Sequence, residues 1–102
     1  MLEIRPNCEL CDKELLADAT DACICSYECT FCRSCVDNVL KNICPNCGGG
    51  FVNRPIRPKV AYREKTSLEF QPASSKRIIT TYSLDEIKEF SDKIKNRPVG
   101  NR

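Results

Sequence analysis

Four pairs of cysteines stand at the spacing that metal-binding proteins use. The pairs are Cys8 and Cys11, Cys25 and Cys29, Cys32 and Cys35, and Cys44 and Cys47. With two or three residues between partners, the backbone turns so that both sulfurs reach one tetrahedral zinc ion at about 2.3 Å. Eight thiolates therefore predict two Zn²⁺ sites with four cysteine ligands each. Such closed sites are structural, because a catalytic zinc keeps one position open for water or substrate.

The four pairs can be shared between two ions in two ways. In sequential order the first two pairs bind one ion, and only two residues then separate Cys29 from Cys32 in the other site. The two sites would be nearly fused. In interleaved order site 1 takes Cys8, Cys11, Cys32 and Cys35, and site 2 takes Cys25, Cys29, Cys44 and Cys47. We favour the interleaved order because it relieves the crowding and ties both ends of the cysteine-rich segment together.

The ninth cysteine, Cys23, lies one residue from Cys25. Two side chains at that separation cannot comfortably chelate one ion, so we expect Cys23 to be a spare thiol in the core. The alternatives are that Cys23 replaces Cys25 as a ligand or senses redox conditions.

The rest of the composition argues against other uses of so many cysteines. An iron–sulfur cluster is also held by thiolates, but four regular pairs fit two separate four-ligand sites better. The chain contains no histidine, which removes the histidine-containing zinc hydrolase and deaminase motifs and the commonest general base. We therefore expect a protein that is not an enzyme.

The length of the chain and its N-terminal residues indicate how the fold is stabilised and where the protein is located. A chain of 102 residues buries a modest apolar surface, so metal binding would contribute folding free energy. The charge of Glu3 and the ring of Pro6 leave no room for a signal-peptide apolar run at the N-terminus. No apolar stretch approaches the roughly 20 residues that span a bilayer. We expect a cytoplasmic protein with reduced thiols and no membrane contact.

Charge is distributed unevenly along the chain. Residues 1–50 carry a net charge of −4, and residues 51–102 carry +6. Eight thiolates and two Zn²⁺ would lower the charge of the first fifty residues to about −8, which repels nucleic acid. The later residues Arg54, Arg57 and Lys59 are phosphate-binding candidates, because such cations neutralise phosphates without reading sequence.

Proline and basic residues dominate segment 53–59 and mark a boundary. Prolines favour extended backbone, so the segment is predicted to be a connector. We predict a metal-binding head over residues 1–58, which includes the connector, and a C-terminal extension over residues 59–102. Alternating apolar and β-branched residues in the extension predict short strands near 60–62, 68–70 and 78–82.

The last predicted element is a helix at about residues 84–96. Ser83 and Glu86 can form a capping box at its start, and Pro98 with Gly100 stops it. Leu84, Ile87, Phe90 and Ile94 share one apolar face at helical spacing. We expect this face to pack on the preceding strands or on the head, in preference to a partner.

The intervals between successive cysteine ligands are 2, 13, 3, 2, 2, 8 and 2 residues, and residues 6–50 with this spacing resemble the RING-type zinc domains. The resemblance implies a small, treble-clef-like cross-brace around two zinc ions, here followed by a short α+β extension. It places the family's surface for ubiquitin-conjugating enzymes at Leu10, Leu40 or Ile43, and Pro45. The chain departs from the family at Gly48, where active ligases often carry a basic residue, and in lacking histidine.

Residues 1–58 also resemble a family of short bacterial cysteine-rich proteins that form a domain of unknown function. The resemblance rests on the segments 1–8, 29–32 (Cys-Thr-Phe-Cys), 44–49 (Cys-Pro-Asn-Cys-Gly-Gly) and 54–58 (Arg-Pro-Ile-Arg-Pro). It implies a bacterial cytosolic setting, which generally lacks the ubiquitin pathway, and it implies no activity.

Together these observations predict a non-catalytic interaction module stabilised by two zinc ions, most readily for a protein partner. Leu10, Ile43 and Pro45 are the candidate contact residues for that partner. Two other functions stay open: a component that resembles a ubiquitin ligase, and a regulator that binds nucleic acid through its basic C-terminal residues.

Overall fold

A small antiparallel sheet organises the cysteine-rich head in the computed structural model, which describes residues 1–102. Strands β1 (Ala22–Ile24) and β2 (Thr30–Cys32) form a hairpin, and β3 (Val52–Asn53) pairs with the other edge of β1. The strand order is therefore β2-β1-β3. Every residue of β1 and β2 is buried, whereas β3 is exposed.

A short helix follows β2 without a loop. Helix α1 (Arg33–Cys35) continues as a π-helical segment (Val36–Leu40), which buries Val36 and Leu40. Lys41 and Asn42 then have φ values of 53° and 60°. Left-handed residues at this position end a helix, because the next N–H groups turn back to its last carbonyls.

The core lies around the cysteines. Half of the fourteen residues in its main cluster are cysteines, so the sulfur atoms replace much of the aliphatic packing that a larger domain would have. The rings of Phe31 and Phe51 meet edge to face in this cluster, with centroids 5.5 Å apart and an interplanar angle of 79°. This geometry is one that aromatic pairs prefer.

Helix α2 (Leu84–Ile94) is the longest element. Ser83 caps it as predicted, since its hydroxyl accepts from the Glu86 N–H and the Glu86 carboxylate accepts from the Ser83 N–H. The helix ends two residues before the predicted boundary. Ile87 is 2% exposed and belongs to the core cluster, so α2 packs on the head through this residue. Phe90 and Ile94 lie close to Gly48. Leu84, predicted to pack on the same face, is instead 63% exposed. A 3₁₀ turn (Val99–Asn101) follows.

The short strands predicted in the extension do not form, and that prediction is wrong. Residues 60 and 62 are exposed without a pairing partner. Residues 74–80 follow the N-terminal segment, but their backbone contacts are isolated: the Ser74 N–H donates to Ile4 and the Thr80 N–H donates to Glu9. Between them the side-chain amide of Asn7 bonds both the N–H and the carbonyl of Ile78. A side chain thus takes the place of a neighbouring strand.

None of the helices combines the length and the apolar content that crossing a membrane requires.

Candidate metal centre

The first sulfur cluster joins the N-terminal segment to the end of the hairpin. Its members are Cys8, Cys11, Cys32 and Cys35, whose sulfurs all lie within 4.8 Å of one another. Cys8 and Cys11 flank a tight turn, in which the Asp12 N–H donates to the Cys8 carbonyl over 2.9 Å. Asp12 has a φ of 63°, and this left-handed residue reverses the chain just after the second sulfur.

The spacing within this first cluster suits a metal ion. The Cys11 and Cys32 sulfurs are 3.8 Å apart. In a tetrahedral site with metal–sulfur bonds of about 2.3 Å, two sulfurs lie about 3.8 Å apart. No disulfide is present, and all nine cysteines are free. The donor set could therefore hold one metal ion with four thiolates.

The second cluster joins the tip of the hairpin to the loop before β3. The sulfurs of Cys25, Cys44 and Cys47 lie within 4.8 Å of one another. Cys29 lies beside Cys25, because the Cys25 N–H donates to the Cys29 carbonyl over 3.2 Å, but the Cys29 sulfur does not lie within 4.8 Å of all three. The hairpin turn brings Cys29 back beside Cys25, with Glu28 at a φ of 68°. The structure therefore groups the cysteines in the interleaved order.

Three N–H groups point at sulfurs of the second cluster. The Tyr27 N–H donates to Cys25 over 3.3 Å, and the Gly49 N–H donates to Cys47 over 3.4 Å. The side-chain amide of Asn46 donates to Cys29 over 3.3 Å. Such donors favour the thiolate form and orient metal ligands. Asn46 was not among the predicted site residues, although its place inside the last cysteine pair was an available signal.

Burial opposes ionisation of the same thiols when no cation is present. Burial is the largest cause that raises the pKa of Cys35, and the neighbouring thiol of Cys32 adds to it. The pKa values of Cys44 and Cys29 are also raised chiefly by burial. Crowded, buried thiols become thiolates only when a positive charge compensates them. This chemistry fits a bound metal ion in both clusters.

Cys23 belongs to neither cluster. It is fully buried in β1 opposite Phe31, and its sulfur lies 4.0 Å from the Asp21 carbonyl oxygen. Burial raises the pKa of this thiol. Its position is that of a small apolar side chain, as predicted for the spare cysteine.

Two of the three predicted partner contacts are not accessible. Ile43 is 1% exposed, and Pro45 is buried where Tyr82, Ile87 and other residues of the α2 region line the same pocket. The prediction that Ile43 and Pro45 contact a partner is therefore wrong for this fold. The sequence could not show that the extension folds back over the second cysteine pair of site 2. Leu10 is half-buried and packs against the core cluster.

Two of the three predicted phosphate contacts have internal roles instead. Arg54 is 4% exposed, and its guanidinium donates to the carbonyls of Arg5 over 2.8 Å and Leu16 over 2.9 Å. Burial lowers its pKa. Arg57 donates to the carbonyls of Leu2 and Gln71, each over 2.6 Å.

These arginines hold the N-terminal segment against the connector. The phosphate-binding prediction is wrong for Arg54, which is buried, and it stays a prediction for Arg57, which is half-buried. Lys59 is exposed. The sequence could not distinguish these cases, because a basic residue beside a proline can either face solvent or donate to a backbone carbonyl of another segment.

A family model and a curated relative both match the chain. Residues 1–57 match the family described as a protein of unknown function, DUF1272. An uncharacterized protein of Rhizobium meliloti (strain 1021) is 48% identical over 79 residues, which cover 78% of this chain and 87% of that protein. No solved structure matches the chain. The family match extends over more than half of the chain and includes every cysteine, and the protein therefore belongs to the DUF1272 family.

Proposed function

We propose that the protein is a non-catalytic, cytoplasmic interaction module that two structural zinc ions hold in a RING-like cross-brace. The observation that carries the proposal is the interleaved grouping of the sulfurs. Cysteines from segments 8–11 and 32–35 meet in one cluster, and cysteines from segments 25–29 and 44–47 approach in the other. Each ion would cross-link parts of the chain that are far apart in sequence.

Zinc is the metal that this donor set favours. Four thiolates at tetrahedral spacing suit zinc or iron, and pairs of cysteines on separate turns are typical of structural zinc. Zinc has no redox chemistry of its own, and a site with four protein ligands has no position for substrate. The N–H groups aimed at three sulfurs support the thiolate form that such an ion requires.

The burial of Ile43 and Pro45 speaks against a ubiquitin-ligase-like role. A conjugating enzyme would have to displace α2 to reach Pro45, because Ile87 of that helix is part of the core. The internal hydrogen bonds of Arg54 and Arg57 likewise weaken the case for nucleic-acid binding. A protein partner is the class that these observations leave most favoured.

The metal content of protein purified without added metal tests the proposal. We expect elemental mass spectrometry to find two zinc ions per chain. Thiol titration of the native protein should be slow at every cysteine. Eight thiols would be bound to zinc, and the ninth, Cys23, is fully buried. After chelation in denaturant all nine thiols should react. One metal ion per chain, or iron with visible absorbance, would contradict two structural zinc sites.

A further inference from the structure

A groove runs between the π-helical segment and α2. It has a volume of about 590 Å³, and its lining includes Val39, Lys41, Leu84, Lys88, Asp92 and Lys95. Val39 is 37% exposed and Leu84 is 63% exposed, so both hydrophobic lining residues are accessible. Most of the groove surface is apolar, and much of it must come from the carbon atoms of the lysine side chains, which can cover apolar surface while their charges reach water.

Three lysines surround this apolar surface. Lys88 and Lys95 lie on the α2 wall, and both contact Asp92, over 2.8 and 3.4 Å. Lys41 lies on the opposite wall, at the end of the π-helical segment, and makes no salt bridge. One carboxylate therefore offsets three ammonium groups, and the groove keeps an excess of positive charge where the extension meets the head.

The dimensions of the groove suit a short peptide. Its α2 wall extends from Leu84 to Lys95, which is about 16 Å at 1.5 Å per residue. That length corresponds to about three turns of a bound helix or five residues of extended chain. A helix laid in a groove presents apolar anchors at helical spacing, and flanking acidic residues would face the lysines.

We propose that this groove binds a short, acidic, amphipathic segment of a protein partner. The inference rests on the proposed function, because it names the surface and the partner chemistry of the interaction module. Charge complementarity selects the occupant: apolar side chains would cover Val39 and Leu84, and carboxylates would pair with Lys41, Lys88 and Lys95. Nucleic acid is disfavoured, since it offers the lysines phosphates but leaves the apolar floor uncovered.

Peptide selection on the metal-loaded, full-length protein tests this inference. The probe is a displayed library of random 12-residue peptides, and the enriched peptides are synthesised and measured by fluorescence anisotropy. We expect enriched sequences with net negative charge and apolar residues at regular spacing. Their affinity should fall about tenfold or more in the variant K41E/K88E/K95E, and it should weaken with added salt.

Matched variants separate the groove from general electrostatics. K59E/K65E/K76E makes the same change in net charge at exposed lysines outside the groove and should bind within about twofold of the unchanged protein. Leu84→Ser removes an apolar contact without changing charge, and it should also weaken binding. The metal content and circular dichroism of every variant are measured first, so that misfolding is recognised.

The outcomes distinguish a failure of the groove proposal from a failure of the proposed function. Peptides that bind the groove variant and the unchanged protein equally would overturn the groove while leaving the interaction module in place. Failure to enrich any peptide would overturn the groove, and with two zinc ions still bound it would also count against an interaction role. Tight binding of a 20-base-pair DNA duplex that requires the three lysines, or self-association that K41E/K88E/K95E abolishes, would replace the peptide by another occupant.

Discussion

Cys29 immediately precedes strand β2 and Cys32 is its last residue, and their sulfurs face different clusters. Three steps of extended chain place their Cα atoms about 10 Å apart. The two residues between Cys29 and Cys32 would crowd the metal sites in sequential order. In interleaved order the same extended segment keeps the two sites apart. One short strand connects both clusters. Loss of a cysteine ligand from one cluster should therefore also disturb the hairpin that carries the other cluster.

Substitution of a cluster cysteine should remove metal where substitution of the spare cysteine does not. We expect Cys35→Ser to lower zinc from two ions to about one per chain, because a hydroxyl is a poor zinc ligand beside three thiolates. Cys23→Ala should keep two ions and lose about 1 kcal/mol of stability through a small cavity. Elemental mass spectrometry and chemical denaturation measure both effects. Two ions in Cys35→Ser together with one in Cys23→Ala would assign the ligands differently.

Metal binding should expel protons from the clusters. Burial raises the pKa values of Cys29, Cys35 and Cys44, so these thiols are protonated at neutral pH when no metal is present. Each must lose its proton to bind zinc, and the apparent affinity should therefore fall as pH falls. Isothermal titration in buffers of different ionisation enthalpy counts the protons released. A count near zero at pH 7 would mean that the metal-free clusters are already thiolates.

Local chemistry explains what the sequence could predict. The spacing within each cysteine pair identified the sulfurs that meet, because a chelating turn needs only a few residues. Ser83 and Glu86 likewise marked the start of α2, since a capping box lies within one helical turn. The predicted end was two residues too far, because the last turn of a helix frays and Pro98 alone does not fix where it ends.

Contacts between distant segments explain what the sequence could not predict. Residues 78–82 have strand-like composition, but a strand also needs a partner with free backbone groups. The nearest segment instead presents the side chain of Asn7, which takes both backbone groups of Ile78. The burial of the Arg54 side chain likewise depends on the carbonyls of Arg5 and Leu16, which lie 38 or more residues away in sequence.

Arg54 should matter for stability. Arg54→Met removes two charge-assisted hydrogen bonds that attach the N-terminal segment to the connector. Removing a buried charge compensates for part of this loss, so we expect a decrease of about 2 kcal/mol in the free energy of unfolding. Urea denaturation of the zinc-loaded protein measures it. Lys59→Met is the matched control, since Lys59 is exposed and makes no salt bridge; equal effects of the two substitutions would contradict an internal role for Arg54.

Substitution of Gly48 should destabilise the fold more than substitution of Gly100. Its φ is +79°, and a β-carbon added there would lie 3.3 Å from the Ile94 side chain and 3.6 Å from Phe90. Gly48→Ala therefore adds backbone strain and pushes α2 away from the second cluster. We expect a loss of about 1–2 kcal/mol in stability.

The matched control for this substitution is Gly100→Ala, because a β-carbon at Gly100 would meet no atom within 4 Å. It should leave stability unchanged within about 0.5 kcal/mol. Denaturation followed by far-ultraviolet circular dichroism compares the two variants, and proteolysis of the native proteins reports whether α2 has loosened. If Gly48→Ala were as stable as Gly100→Ala and α2 equally resistant to protease, the close packing of α2 over the Gly48 turn would be refuted, and with it the covering of Pro45 that disfavours a ubiquitin-ligase-like role.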